Sequence, residues 1–99
     1  DRCIAAKLIS PAHENVFHVF PFLTPKRDQL KAFLAENGVG TKIHYFRPPY
    51  LQPCYPEMNH LEFPVAKRIA DEELSLPCNS SLNDEDIIRV SKLINQFLA

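Results

Sequence analysis

The chain has 99 residues, 45% of them apolar, and a formal net charge of −1. That length fits one domain with a modest core, and the near-neutral charge offers no basic surface for nucleic acid or for an acidic membrane. No apolar run approaches the roughly 20 residues of a membrane span, and nothing resembles a signal peptide. The cysteines, Cys3, Cys54 and Cys78, are odd in number and favour a reducing, cytoplasmic setting over a disulfide scaffold.

The first quarter of the chain predicts a strand. Residues 1–15 stay unassigned, because RCIAAKLI suits either a short strand or the tail of a helix. Residues 16–23, VFHVFPFL, are rich in aromatic and β-branched residues and apolar on both faces, as in a strand covered on both sides. Pro21 cannot donate to a ladder, which predicts an edge, a bulge or the strand's end at that point.

A helix and a second strand follow. Thr24 and Pro25 predict the helix start, with the hydroxyl as N-cap and proline at the first helical position. Leu30, Phe33 and Leu34 form its buried stripe, and Gly38 ends it in the left-handed conformation. Residues 41–45, TKIHY, are predicted to form the second strand.

The second half predicts two helices around a short strand. Pro64 opens one helix, whose apolar face consists of Val65, Ala66, Ile69 and Ala70. Residues 74–77, LSLP, are a third strand candidate, and Asn83 with the acidic residues after it caps the last helix. The predicted fold class is therefore α+β, a small sheet of about three strands with helices packed on it.

Residues 41–56, TKIHYFRPPYLQPCYP, are the candidate site, and we call the part after the predicted strand, residues 46–56, the proline loop. The loop holds four of the nine prolines beside tyrosines, Arg47 and Gln52. Prolines fix a backbone cheaply, so this loop could hold polar side chains ready for a ligand. A structural connector whose tyrosines pack on the sheet fits the composition equally well.

Other site chemistries have weaker support. The cysteines and histidines lack the tight ligand pairs of zinc sites, so no metal is predicted. Cys54 has no recognisable base beside it, so no nucleophile is assigned. The chain also lacks a glycine-rich phosphate loop and a Ser-His-Asp order.

Most of the chain closely resembles the C-terminal small domain of the DegT/DnrJ/StrS aminotransferases. The segments that carry the resemblance are GVGTKIHYFRPPYLQPCYP and, after it, FPVAKRIADEELSLPCNSSLNDEDIIRVSKLINQF. The combination of I-H-Y, L-Q-P, A-D-E and L-S-L-P is specific, and the likeness covers about residues 16–97. It implies the C-terminal domain of the aspartate-aminotransferase-like fold for residues 16–99, with residues 1–15 as an approach segment.

The resemblance implies a parent enzyme that uses pyridoxal phosphate to transfer an amino group from glutamate to a keto-sugar nucleotide, in aminosugar or lipopolysaccharide biosynthesis. The parent is expected to be a cytoplasmic homodimer whose large domain carries the Schiff-base lysine and most cofactor contacts. Because the chain begins at Asp1 without methionine and the resemblance includes no large domain, we expect a piece of a longer polypeptide that is inactive alone.

The resemblance also orders the candidate residues. No catalytic residue is assigned, and this domain is expected to form one wall of the cleft, with apolar surface that the large domain covers. His44 and Tyr45 match the family's H-Y and Gln52 its loop glutamine, whereas Tyr50 stands where many members have histidine and Arg47 is not a regular family position. The alternative is a stand-alone α+β ligand-binding or interaction module without catalysis.

Overall fold

The computed structural model describes the backbone of residues 4–5 and all of residues 16–99. Its sheet is antiparallel, with the strands β1 (Ile4–Ala5), β2 (Phe20–Leu23) and β3 (Glu73–Leu76) in that order. Phe20 lies opposite Leu76, and Leu23 lies opposite Glu73. The α+β class is confirmed, although β1 is only two residues long. The rest of the predicted approach segment, with Cys3, lies outside the described residues.

The predicted strand at residues 41–45 is wrong. Only Lys42 pairs with the sheet, exchanging N–H···O bonds of 3.2 and 2.7 Å with Ser75 at the free edge of β3. Two residues later the N–H of His44 donates to the Glu73 carboxylate instead of a strand carbonyl. The chain then turns, and the ladder ends because its next backbone donor is used elsewhere.

Pro21 was predicted to lie at an edge, a bulge or the strand's end; it is the second residue of the middle strand, opposite Ser75. Ser75 directs both of its backbone groups to Lys42, on the far side of β3. Pro21 and Ser75 therefore form a pair without mutual hydrogen bonds, and the imide nitrogen points away from β3. On the other side, the described pairs of β1 are with Phe22 and Leu23.

Three helices pack with the sheet: α1 (Arg27–Glu36), α2 (Pro64–Glu72) and α3 (Asp84–Leu98). The start of α1 is later than predicted, because Thr24 closes a turn in which its hydroxyl accepts from the Lys26 N–H. The predicted end is confirmed, with Gly38 at φ 78°. Asn83 caps α3 in a capping box with Asp86, also as predicted.

The core lies between α1, β3 and α3. Its buried members are Leu30, Leu34, Val39, Leu74 and Ile94. Of the predicted α1 stripe, Phe33 is only partly buried and stacks on Phe97. In the described part of the chain, no helix is long and apolar enough to cross a membrane.

The apolar face of α2 does not contribute to this core as fully as its pattern suggests. Ala70 is buried, but Val65 is 73% and Ile69 42% exposed. This face lies beside the proline loop.

Candidate functional site

His44 is held by two buried polar residues of β3. Its backbone N–H donates to Glu73 Oε2 at 2.6 Å, and its ring Nδ1 lies 2.8 Å from Ser75 Oγ. Ser75 Oγ in turn donates to Glu73 Oε1 at 2.5 Å. Because Glu73 and Ser75 are 3% and 6% exposed, these bonds are shielded from water and fix the imidazole firmly.

The imidazole borders an open pocket of about 500 Å³ between the sheet edge and the start of residues 41–45. The lining of this pocket, which we call the His44 pocket, mixes polar and apolar side chains, and the polar ones beside His44 include His18, Thr41, Lys42 and Asn79. A pocket of this size accommodates a small polar ligand. The predicted role of His44 toward a substrate therefore has space in front of it.

The proline loop is stiffened by two short 3₁₀ turns, Pro49–Leu51 and Pro56–Met58. Asn59 ties them together, since its amide donates to the carbonyls of Tyr50 at 2.8 Å and Tyr55 at 3.2 Å. The side chain of Gln52 donates to the Arg47 carbonyl at 2.9 Å. The loop is thus an ordered structure stabilised by its own amide side chains as well as by its prolines.

A second open groove, of about 440 Å³, lies between the proline loop and α2. Its wall is mostly apolar. The side chains that line it come from Tyr45, Arg47, Pro48, Pro49, Gln52, Tyr55, Ala66, Ile69 and Ala70.

The five predicted site residues therefore do not lie in one pocket. His44 borders the His44 pocket, while Tyr45, Arg47 and Gln52 line the groove. The His44 and Tyr45 rings meet edge to face with centroids 5.1 Å apart, so the two hollows adjoin at this pair. Tyr50 is only 7% exposed and packs its ring on Phe63, which makes it an anchor of the loop.

The sequence reasoning did not single out Glu73, Ser75, Asn59 or Arg27. The Arg27 guanidinium is buried, and its Nη1 donates to the carbonyls of Ala70 at 2.9 Å and Glu73 at 3.2 Å. It thereby joins α1 to the end of α2 and to the start of β3. Its contact on β3 is with Glu73, the residue whose carboxylate holds His44. Of these four residues, only Ser75 had a signal in the sequence, because the LSLP strand pattern places it between two apolar positions.

The fold corresponds to part of a solved aminotransferase. The crystal structure of a DegT DnrJ EryC1 StrS aminotransferase from Brucella abortus is similar at a TM-score of 0.71 and 28% identity, over 80% of this chain and 22% of that one. The model of the DegT/DnrJ/EryC1/StrS aminotransferase family matches residues 4–95. The chain belongs to this family, as its motifs predict.

Curated relatives agree with this assignment. The chain is 39% identical over 85 residues to the pleiotropic regulatory protein of Geobacillus stearothermophilus. It is 32% identical over 83 residues to dTDP-3-amino-3,6-dideoxy-alpha-D-galactopyranose transaminase of Aneurinibacillus thermoaerophilus. Each match covers 84% of this chain and 23% of the relative, so the chain spans about a quarter of their length.

Proposed function

We propose that residues 16–99 are the C-terminal small domain of a pyridoxal-phosphate-dependent aminotransferase that acts on a nucleotide sugar and uses glutamate as amino donor. In this proposal the domain forms one wall of the active-site cleft, and a large domain of the same polypeptide forms the other. Family membership and the transaminase among the relatives support the reaction class.

The observation that carries the proposal is an apolar surface beside the His44 pocket and the groove. Tyr45, Phe46 and Val65 are 72%, 63% and 73% exposed, and Phe63 and Ile69 nearly half exposed. Tyr45 and Ile69 line the same groove, and an exposed apolar surface of this kind is typical of one that is covered in the complete protein. We assign the cover to the large domain, which places the His44 pocket and the adjoining groove at the domain boundary, where ligand sites commonly lie.

Within the cleft, His44 and Tyr45 face the substrate, with Gln52 and Arg47 further along the groove. The Arg47 guanidinium lies 5.6 Å from the Phe46 ring centroid and is exposed, so it is available to a carboxylate or a phosphate. Tyr50 is left out of the substrate contacts because its ring is buried.

The described residues do not by themselves fit pyridoxal phosphate. A lysine that forms a Schiff base needs a desolvated amine, and none of the lysines of residues 16–99 is buried. Lys31 donates to the Thr41 carbonyl, and Lys67 pairs with Asp71. In this proposal the cofactor lysine belongs to the large domain. We further propose that the complete enzyme is a cytoplasmic homodimer.

The test is the complete translation product of the reading frame that encodes residues 1–99. Purified, it should carry the absorbance of bound pyridoxal phosphate and transfer the amino group of glutamate to a keto-sugar nucleotide. Replacing His44 by alanine should leave the cofactor absorbance in place. A product without a large domain, or one that binds nucleotide sugars through residues 16–99 alone, would instead indicate the binding-module alternative.

A further inference from the structure

We infer that Ser75 and Glu73 select, for the neutral form of the His44 ring, the tautomer protonated at Nδ1. In that form Nε2 presents a lone pair to the pocket and receives a hydrogen-bond donor of the ligand. The tautomer follows from the described contacts. The nature of the ligand rests on the proposed function, which makes that donor a hydroxyl group of the sugar rather than a phosphate.

The assignment follows from counting hydrogens. An ionised carboxylate only accepts hydrogen bonds, and that of Glu73 accepts from the His44 backbone N–H at one oxygen and from Ser75 at the other. The serine hydroxyl has one hydrogen, which this bond uses. The atom of His44 that lies 2.8 Å from Ser75 Oγ must therefore supply the hydrogen of that contact.

The opposite edge of the ring is available to a ligand. Among residues 16–99, Nε2 of His44 has no hydrogen-bond partner, and the ring borders the His44 pocket. A neutral ring that donates at Nδ1 can only accept at Nε2. A phosphate oxygen, which is also an acceptor, would meet a lone pair there, whereas a sugar hydroxyl would donate to it.

Ser75 and Glu73 are thus positioning residues. Glu73 acts twice, through the backbone of His44 and through the serine. Its own main-chain carbonyl accepts a hydrogen bond of 3.2 Å from Arg27 Nη1, which helps to fix the backbone that carries the carboxylate. Two further charged residues adjoin this arrangement: Arg27, which donates to the Glu73 carbonyl, and Lys42, which lines the pocket.

The tautomer can be read by nitrogen NMR at alkaline pH, where imidazoles are neutral, on the 99-residue chain labelled at histidine. If that chain does not give a folded spectrum, the complete translation product is used. His44 is assigned by comparison with His44→Gln. We expect protonated Nδ1 and bare Nε2 in the wild type. A wild-type ring protonated at Nε2 overturns the inference regardless of enzyme activity.

Two serine variants separate the hydroxyl from packing. Ser75→Ala should lower the ratio of the Nδ1–H to the Nε2–H tautomer about tenfold, as expected for the loss of one hydrogen bond. Ser75→Thr keeps the hydroxyl and should retain the wild-type ratio. Equal ratios in the wild type and Ser75→Ala would show that the serine does not select the tautomer.

The ligand part is tested by kinetics of the complete enzyme. Ser75→Ala should raise KM for the nucleotide sugar about five- to tenfold, leave the affinity for pyridoxal phosphate unchanged, and be rescued in Ser75→Thr. An unchanged KM beside an altered tautomer ratio overturns the sugar contact but not the tautomer. Absence of any amino transfer, with the tautomer as expected, overturns the proposed function and the sugar contact with it.

Discussion

Arg27→Met tests whether the buried guanidinium supports the site from behind. The variant keeps most of the side-chain volume but removes both donors from the Ala70 and Glu73 carbonyls. Each hydrogen bond from a charged group contributes about 1.5–3 kcal/mol, and the carbonyls that remain are shielded from water. The apolar burial of methionine offsets part of this loss. We therefore expect the free energy of unfolding to fall by about 3 kcal/mol.

The assay is urea unfolding, in which the wild type and the variant should show the same dependence of the unfolding free energy on urea concentration, together with the melting temperature. For a chain of this size, a loss of 3 kcal/mol lowers the melting temperature by roughly 12–24 °C. Asp28→Asn is the matched control, since the Asp28 side chain that pairs with Arg27 at 2.6 Å is 80% exposed. That change should cost less than about 0.5 kcal/mol. If both variants lose the same amount, the buried carbonyl contacts are not what Arg27 contributes.

Three further changes test the loop, the last helix and the cleft. Asn59→Ala removes the donor shared by the Tyr50 and Tyr55 carbonyls, so amide hydrogen exchange in the proline loop should accelerate about tenfold while exchange in α1 stays constant; equal protection in both proteins would show that the prolines suffice. Asn83→Ala removes the capping box of α3 and should cost about 1 kcal/mol in urea unfolding, and a loss below about 0.3 kcal/mol would contradict this. In the complete enzyme, His44→Ala or Tyr45→Phe should weaken turnover of the sugar substrate more than cofactor binding, measured by steady-state kinetics and cofactor absorbance, and unchanged kinetics in both would refute their placement in the cleft.

Local signals predicted the helices well. Periodicity identified Leu30 and Leu34, and the cap residues Gly38 and Asn83 mark their helix ends as expected, because these features depend on a few neighbouring residues. The start of α1 was misjudged because Thr24 and Pro25 suit a turn as well as a helix cap. The turn prevails here, since the Thr24 N–H also donates to the Glu72 carbonyl, a contact 48 residues away in sequence that no local pattern shows.

The errors in the sheet have the same origin. TKIHY has the composition of a strand, but whether it pairs beyond Lys42 depends on where the Glu73 side chain points. Pro21 is acceptable beside β3 because Ser75 directs its backbone hydrogen bonds to Lys42, away from the proline. Both outcomes depend on partners distant in sequence, which strand propensity does not contain.

The candidate site was predicted as a set of side chains on one loop, and its support was missed because it comes from a strand. His44 and Tyr45 were identified from the family motif, yet the buried carboxylate that orients His44 stands in a run of acidic residues, EE before LSL, that reads as the end of a solvated helix face. The two glutamates of this run, Glu72 and Glu73, differ in the element to which they belong. Glu72 ends α2, whereas Glu73 begins β3 and is turned inward by the change from helical to strand backbone. A helix one turn longer would direct that carboxylate elsewhere and leave the His44 N–H and Ser75 without their acceptor. The helix-to-strand junction, closed by Arg27, is therefore as much a part of the site as the proline loop that the sequence points to.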